Sequence, residues 1–283
     1  MTKIIFENDT GRLCLSGGGD EAWRITRITG LGMSDKKYQT VSYFSEAGQK
    51  TVSERREARI ITIAGDVLGT EKSAAHKISR AIKILDKPGW LVIRSNGVTR
   101  RIEAYCTGFE EGDAYGIFKK FAMQFCCDCP YFEDVGNDFV ALFKRTKEIK
   151  NTFKFPKIFT GRISGGVVIN RGDVEAEPIF NIYFGAEIAA EKKIILTICN
   201  ETSDCKLVMT LYPKPCDVVT IDIAKRRIYN DRGENLITSL SDDSSLNKFI
   251  LKEGANNINV TSDAETNLSI VCRFVNRYLE AVC

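Results

Sequence analysis

Hydrophobic and polar residues alternate along most of this chain, in short runs. In FAMQF (121–125), Phe121, Met123 and Phe125 fall on one side of a strand, with Ala122 and Gln124 on the other. WLVIRSNGVTRRIEAYC (90–106) carries two runs of β-forming residues on either side of Asn96-Gly97. That dipeptide favours the left-handed turn of a tight hairpin, so the segment is predicted to be one. One stretch breaks the two-residue period. In TEKSAAHKISRAIKILDKPG, Ala75, Ile78, Ile82 and Leu85 recur at helical spacing, with Ala74 and Ala81 beside them. This predicts a helix from about Thr70 to Asp86, N-capped by Thr70 and stopped by Lys87-Pro88-Gly89.

The C-terminal half is a series of short β runs. They are GVVIN (166–170), PIFNIYF (178–184), KIILTIC (193–199), CKLVMTLY (205–212), VVTIDI (218–223), RRIY (226–229), LNKFIL (246–251), NNINV (256–260) and LSIVCRFV (268–275), with NDRGEN (230–235) as a loop. Turn signals every eight to twelve residues or so predict a β-sandwich or jelly roll. Between the halves, ALFKRTKEIKNTFKFPKIFTG changes character after Phe143, carries a basic cluster and reaches Pro156. It is read as a linker, giving domains 1–150 and 151–283.

LGMSDKKYQTVSYFSEAGQKTVSERREARIITIAGDV (31–67) has β propensity but polar groups on both faces. A hairpin here cannot bury both faces in its own domain. It is either a solvated ribbon or an arm that reaches a neighbouring subunit. As an arm it would offer Tyr38, Val41, Tyr43, Phe44 and Val52, with Arg55, Arg56 and Arg59 placed to meet acidic groups.

Composition narrows the function. The 283 residues are 43% hydrophobic and 27% charged, as in a soluble globular protein. Forty basic against 37 acidic residues leave a net charge of +3, too balanced to favour nucleic-acid binding. No apolar run is long enough for a transmembrane helix, and MTKIIFENDTGRL does not read as a signal peptide. The ten cysteines are then expected to be reduced thiols. The one histidine, His76, is expected on the solvated side of the helix, which removes many catalytic and zinc-binding schemes.

The densest chemical signal is FCCDCPYFEDV (125–135). Cys126, Cys127 and Cys129 could suggest a metal site, but structural zinc sites use two separated ligand pairs. Cys106 would serve as a fourth ligand only if its strand lay alongside. Cys126 and Cys129 have redox spacing, yet Cys127 lies between them and no βαβ pattern surrounds them. The favoured reading is a strand that ends in a turn, because Pro130 lacks the N–H to continue a ladder. No metal or cofactor is expected. SGGGD (16–20) and RISGGVVIN lack the Lys-Ser/Thr and following helix of a phosphate loop and are read as turns. The acid pairs Glu110-Glu111, Glu133-Asp134 and Asp242-Asp243 are read as solvated, and the sequons at Asn8, Asn200, Asn259 and Asn267 as chance.

FAMQFCCDCPYFED (121–134), NRGDVEAEPIFNIYF (170–184) and VVTIDIAKRRIYNDRGENLI…SSLNKFILKEGANNINV (218–260) together resemble the distal tail proteins of bacteriophages with long, non-contractile tails, the siphovirus tail-component family. Family members often carry Asp just before the proline of the first motif; here Cys129 stands there and Asp128 one earlier. The resemblance spans nearly the whole chain. It implies a mainly β fold: an N-terminal barrel-like β domain with one helix and an extended hairpin arm, then a C-terminal galectin-like β-sandwich. It implies a non-enzymatic structural protein of a phage or prophage tail tip, made and assembled in the bacterial host cytoplasm. Copies would form a ring, usually hexameric, each arm, at about 33–58, embracing the next subunit. Implied partners are the tail tube protein, the baseplate hub or tail-associated lysin, the tape measure protein and a receptor-binding protein, with no membrane or sequence-specific nucleic acid. Two rivals stand beside it. One is a carbohydrate-binding module for host-surface glycans, although Trp23 and Trp90 are both N-terminal. The other is a wall hydrolase using Glu133 or Asp134.

Overall fold

The computed structural model describes residues 2–16, 22–45, 47–145, 163–186, 192–263 and 268–281. Most of the SGGGD stretch, the basic segment through Pro156 and the sequon at Asn267 lie outside the described residues. The chain forms two compact units, Met1–Val135 with Tyr278–Cys283, and Gly136–Arg277. The division therefore falls before the change of character after Phe143 and before the expected bound at 150, and residues 278–283 belong to the first unit. The cause is residues 138–145, which form a strand of the second unit rather than the end of the first domain.

The first unit contains β1 (Lys3–Asn8), β2 (Gly11–Ser16), β3 (Trp23–Thr29), β4 (Lys36–Val41), β5 (Lys50–Arg56), β6 (Arg59–Leu68), α1 (Glu71–Leu85), β7 (Gly89–Ser95), β8 (Val98–Tyr115), β9 (Phe118–Cys127) and β10 (Phe132–Asp134). The main sheet runs β2-β1-β7-β8-β9-β6-β3, with β10 beside β8. It is open rather than barrel-like, because its end strands β2 and β3 do not pair. The long β8 serves two partners: its first part pairs with β7, and from Tyr105 onward it pairs with β9, with register breaks after Cys106 and Glu111. Side chains from both parts fill one core, where Phe6 meets Phe125 at 5.2 Å and Trp23 meets Phe121 edge-on at 4.9 Å. Asn96 and Gly97 both take positive φ, as the hairpin turn requires.

Helix α1 stands where its periodicity predicts, but its buried face is rotated. Ala74, Ile78, Ala81, Ile84 and Leu85 pack inward, while Ala75 and Ile82 face solvent with His76. Two stripes share Ile78 and Leu85; the one that also buries Ile84 removes more apolar surface from water. Thr70 occupies the N-cap position without a side-chain bond. At the other end Asn8 donates to the carbonyls of Ile84 (2.7 Å) and Lys87 (3.1 Å), satisfying groups the helix leaves open.

The second unit contains β11 (Asp138–Arg145), β12 (Ile163–Asn170), β13 (Ile179–Phe184), β14 (Ile194–Asn200), β15 (Cys205–Leu211), β16 (Val218–Asp222), β17 (Arg227–Asn230), β18 (Gly254–Ser262) and β19 (Leu268–Phe274). They form one sheet in the order β15-β14-β18-β12-β11-β19-β13-β16-β17. Alternate residues of β14, β15 and β19 point into a core around Phe180 and Phe249, whose rings meet edge-on at 5.3 Å. LNKFIL (246–251) is not the strand its composition suggests. It begins as a 3-10 turn, Leu246–Lys248, and reaches the fold through one bridge, Leu251 to Ala176. Buried asparagines hold carbonyls of this segment and of Lys252: Asn200 donates to Ile250, Asn170 to Leu251, which also accepts from the Ala176 N–H, and Asn256 to Lys252. After β19, β20 (Arg277–Tyr278) pairs with β10.

Candidate functional site

Strands β4 and β5 pair only with each other, in register from Lys36 opposite Arg56 to Val41 opposite Lys50. A bulge between Gln39 and Thr40 adds twist, which discourages flat edge pairing. Nearly every arm residue is exposed on both faces. Polar contacts stiffen it: Lys36 meets Glu54 at 3.0 Å, and Ser53 donates to Gln39 at 3.1 Å. A backbone bond from Glu57 N–H to the Asp35 carbonyl (2.9 Å) closes its base.

Tyr38, Val41, Tyr43, Phe44 and Val52 are all exposed on this ribbon or its tip, Phe44 completely and Val52 to 63%. Met33, at the base, is exposed too. Five large apolar side chains on one short element are a concentration that folding of this chain does not bury. Arg55 is exposed and pairs with Glu57 of its own chain at 3.0 Å. Arg56 is half-buried at the base, 3.5 Å from the Ser34 hydroxyl.

Arg59 does not belong with them. It opens β6, is only 2% exposed, and lies over the Phe132 ring at 4.6 Å. Its guanidinium donates to the carbonyls of Pro130 (2.7 Å), Gly30 (2.7 Å), Gly32 and Leu279 (2.6 Å). Burial pulls its pKa below the ordinary arginine value. An arginine sunk this way cannot meet a neighbour's acids. It joins the base of the arm, the FCCDCP turn and the returning C-terminal segment. The signal was present in RIITIAGDV: the strand period places Arg59 on the inward face with Ile61 and Ile63.

The cysteine cluster disperses accordingly. Cys127 is buried in the core, Cys126 is half-buried on the opposite face of β9, and Cys129 is exposed beyond it. Burial pushes the Cys127 thiol up to about 12. Cys106 does lie on the neighbouring strand, opposite Phe125, but its register partner is not a cysteine. Tyr105, opposite Cys126, donates to Asp128 at 3.1 Å; its bonds with Cys126 and then Asp128 raise its pKa to about 12. Among the described residues no three His, Cys, Asp or Glu side chains gather as metal ligands. Glu133 and Asp134 are consecutive in β10, so their side chains leave opposite faces, and Asp134 accepts a bond from Tyr278 at 3.0 Å. Among the described residues no helix is long and apolar enough to cross a membrane.

The fold class is thus an open β sheet bearing a self-paired external hairpin, followed by a second all-β unit. Phage proteins are among the solved structures similar to it. The Dit protein (gp 19.1) of phage SPP1, described as a paradigm of the hub adsorption apparatus in phages infecting Gram-positive bacteria, matches with a TM-score of 0.70. The match covers 98% of this chain and 99% of that one, at 14% identity. A chain of the phage P2 baseplate in its activated conformation with Ca matches with a TM-score of 0.50 over 96% of this chain, at 10% identity. No family model and no curated protein matches the sequence. At these identities the likeness is one of fold.

Proposed function

We propose that this chain is a distal tail protein of a siphovirus-type phage or prophage, a structural component of the virion tail tip. In this reading its copies form a ring, six to a turn, between the tail tube and the baseplate hub that carries the host-adsorption apparatus. The second unit is then a galectin-like sandwich on that ring. The tube protein, the tape measure protein, the hub or its lysin, and a receptor-binding protein are the neighbours. The observation that carries the reading is the end-to-end likeness of fold to the SPP1 hub protein. The arm supports it independently. A ring repeats one heterologous interface until the rotation closes. A projecting ribbon with exposed Tyr38, Phe44 and Val52 and two open edges extends such an interface well beyond the area of one domain face.

The test replaces residues 36–56 with a two-residue Asn-Gly turn, which the Asp35–Glu57 bond can close. Intact protein is expected to give rings by negative-stain microscopy and a matching mass by light scattering. The armless protein is expected to remain folded and monomeric. Rings that persist without the arm refute its role in assembly; an intact protein that stays monomeric even with a tail tube or hub protein refutes the ring.

A further inference from the structure

The second unit contains a cavity of about 470 Å3 that the assembly reading does not use. It lies where the two edge strands of the sheet, β15 and β17, come under one connecting segment. Asn235 bridges to Tyr229 on β17, and Leu240 bridges to Met209 on β15. The segment between them roofs the gap, held further by the Leu236 N–H to Ile228 carbonyl bond (2.8 Å) and the Ser241 N–H to Val208 carbonyl bond (2.8 Å). The volume falls within the roughly 300–1,000 Å3 of small-molecule sites.

The wall is organised around an ion network. Arg232 reaches Asp217 through two bonds, Nη1 to Oδ1 at 2.8 Å and Nη2 to Oδ2 at 3.2 Å. Nη2 also reaches Glu234 Oε2 at 3.2 Å, and Asn230 donates to the same oxygen. Asp217 is buried and takes a further bond from the Lys214 N–H. Burial alone would raise its pKa, but the bonds from Arg232 and Lys214 outweigh that and hold it below the usual range. Bonds from Asn230 and Arg232 hold Glu234 low as well. Both carboxylates are therefore fixed acceptors at neutral pH. Glu234 Oε2 takes these bonds, and among the described residues Oε1 has no partner. Tyr212, just past the end of β15, also lines the cavity, with 61% of its surface exposed. Thr238 adds a hydroxyl to the lining.

We infer that this cavity binds a neutral saccharide. An exposed aromatic ring offers its negative face to the C–H groups of a sugar. Glu234 Oε1 and the Thr238 hydroxyl offer partners for sugar hydroxyls, which both donate and accept. Two carboxylates against one guanidinium leave the wall net negative, which disfavours an anionic ligand. The excess charge lies on Glu234, whose side chain is 56% exposed and already paired with Arg232, so solvent screens it and it gives a cation little hold. The network is also preorganised: its side chains are fixed before a ligand arrives, so binding orders little.

The site lies wholly in the second unit and needs no second copy, so it stands or falls separately from ring formation. The test uses the full chain and saturation-transfer NMR with glucose, galactose and N-acetylglucosamine as neutral probes. N-acetylneuraminic acid and glucosamine serve as anionic and cationic probes. At least one neutral sugar is expected to bind at millimolar concentration. Tyr212→Ala and Glu234→Gln are each expected to weaken it about tenfold or more, with Tyr212→Phe unchanged. Tyr212 is exposed, so its loss leaves the fold intact, which thermal melting verifies. Failure of all three neutral sugars at tens of millimolar, binding of the charged probes only, or binding undiminished in Tyr212→Ala overturns the assignment.

Discussion

Arg59 shows how far depth is hidden in a sequence. Beside Arg55 and Arg56 it reads as part of a basic trio, because spacing reports charge and not burial. The alternation of β6 carries the correction, yet an inward arginine is credible only once carbonyl partners are known, and these come from residues 30, 32, 130 and 279. Truncating it strands several buried acceptors. Arg59→Ala is expected to cost roughly 3–5 kcal/mol in urea unfolding of the first unit, against less than about 1 kcal/mol for Arg55→Ala. The thiols follow the same logic. Cys127 in one unit and Cys272 in the other are both raised by burial from 9.0 to about 12. The folded chain then keeps protons that the unfolded chain releases. Stability from these groups is complete below about pH 9 and is lost as pH rises towards 12. Thermal melts from pH 7 to 11 should show the loss, and Cys127→Ala should flatten it for the first unit. Iodoacetamide at pH 8 should label the exposed Cys129 and Cys216 and spare Cys127 and Cys272 until unfolding. Equal labelling of Cys127 and Cys129 in folded protein would contradict this account.

Elements were legible where a local rule decides them. The Asn96-Gly97 hairpin, the extent of α1 and the arm strands all follow from turn chemistry or periodicity over a few residues. Elements fixed by distant partners were not. β11 hides inside a basic stretch because its pairing with β19 lies more than a hundred residues away, and 246–251 is held by asparagines from other strands. The base of the arm also depends on a distant partner. Gly30 has φ +87, and a Cβ there would lie 2.0 Å from the Ile60 carbonyl oxygen. Its own carbonyl accepts from Arg59. Gly32 is two residues away with nothing near its would-be Cβ. Gly30→Ala is therefore expected to cost about 2–4 kcal/mol and to loosen the arm base, while Gly32→Ala stays within about 0.5 kcal/mol. Denaturant midpoints of the two variants decide it, and similar midpoints would mean that the strand crossing at Gly30 yields more easily than its geometry indicates.

At the scale of the whole molecule, the second unit interrupts the first. Residues 278–281 are clamped back into the N-terminal unit at four points. Tyr278 donates to Asp134, the Ala281 N–H bonds Leu31 at 2.9 Å, Arg59 takes the Leu279 carbonyl, and Arg100 takes the Glu280 carbonyl at 2.8 Å. The Arg100 guanidinium also lies 3.7 Å from the centre of the Tyr278 ring. Within the second unit the ends meet as well: Asp138 is in register with Phe274, and Asn276 donates to Asp138 at 2.9 Å. An insertion whose ends lie together can be removed without opening its host, and can close on its own. Joining Val135 to Tyr278 through a short Gly-Ser linker should leave a folded first unit that keeps its arm. Residues 136–277 expressed alone should fold independently. Stopping the chain at Arg277 should instead destabilise the first unit while sparing the second, because the clamps are lost and the second core is untouched. Hydrogen exchange read separately over the two units distinguishes these outcomes. Protection lost mainly from the second unit after that truncation would show that the C-terminal residues secure it rather than its host.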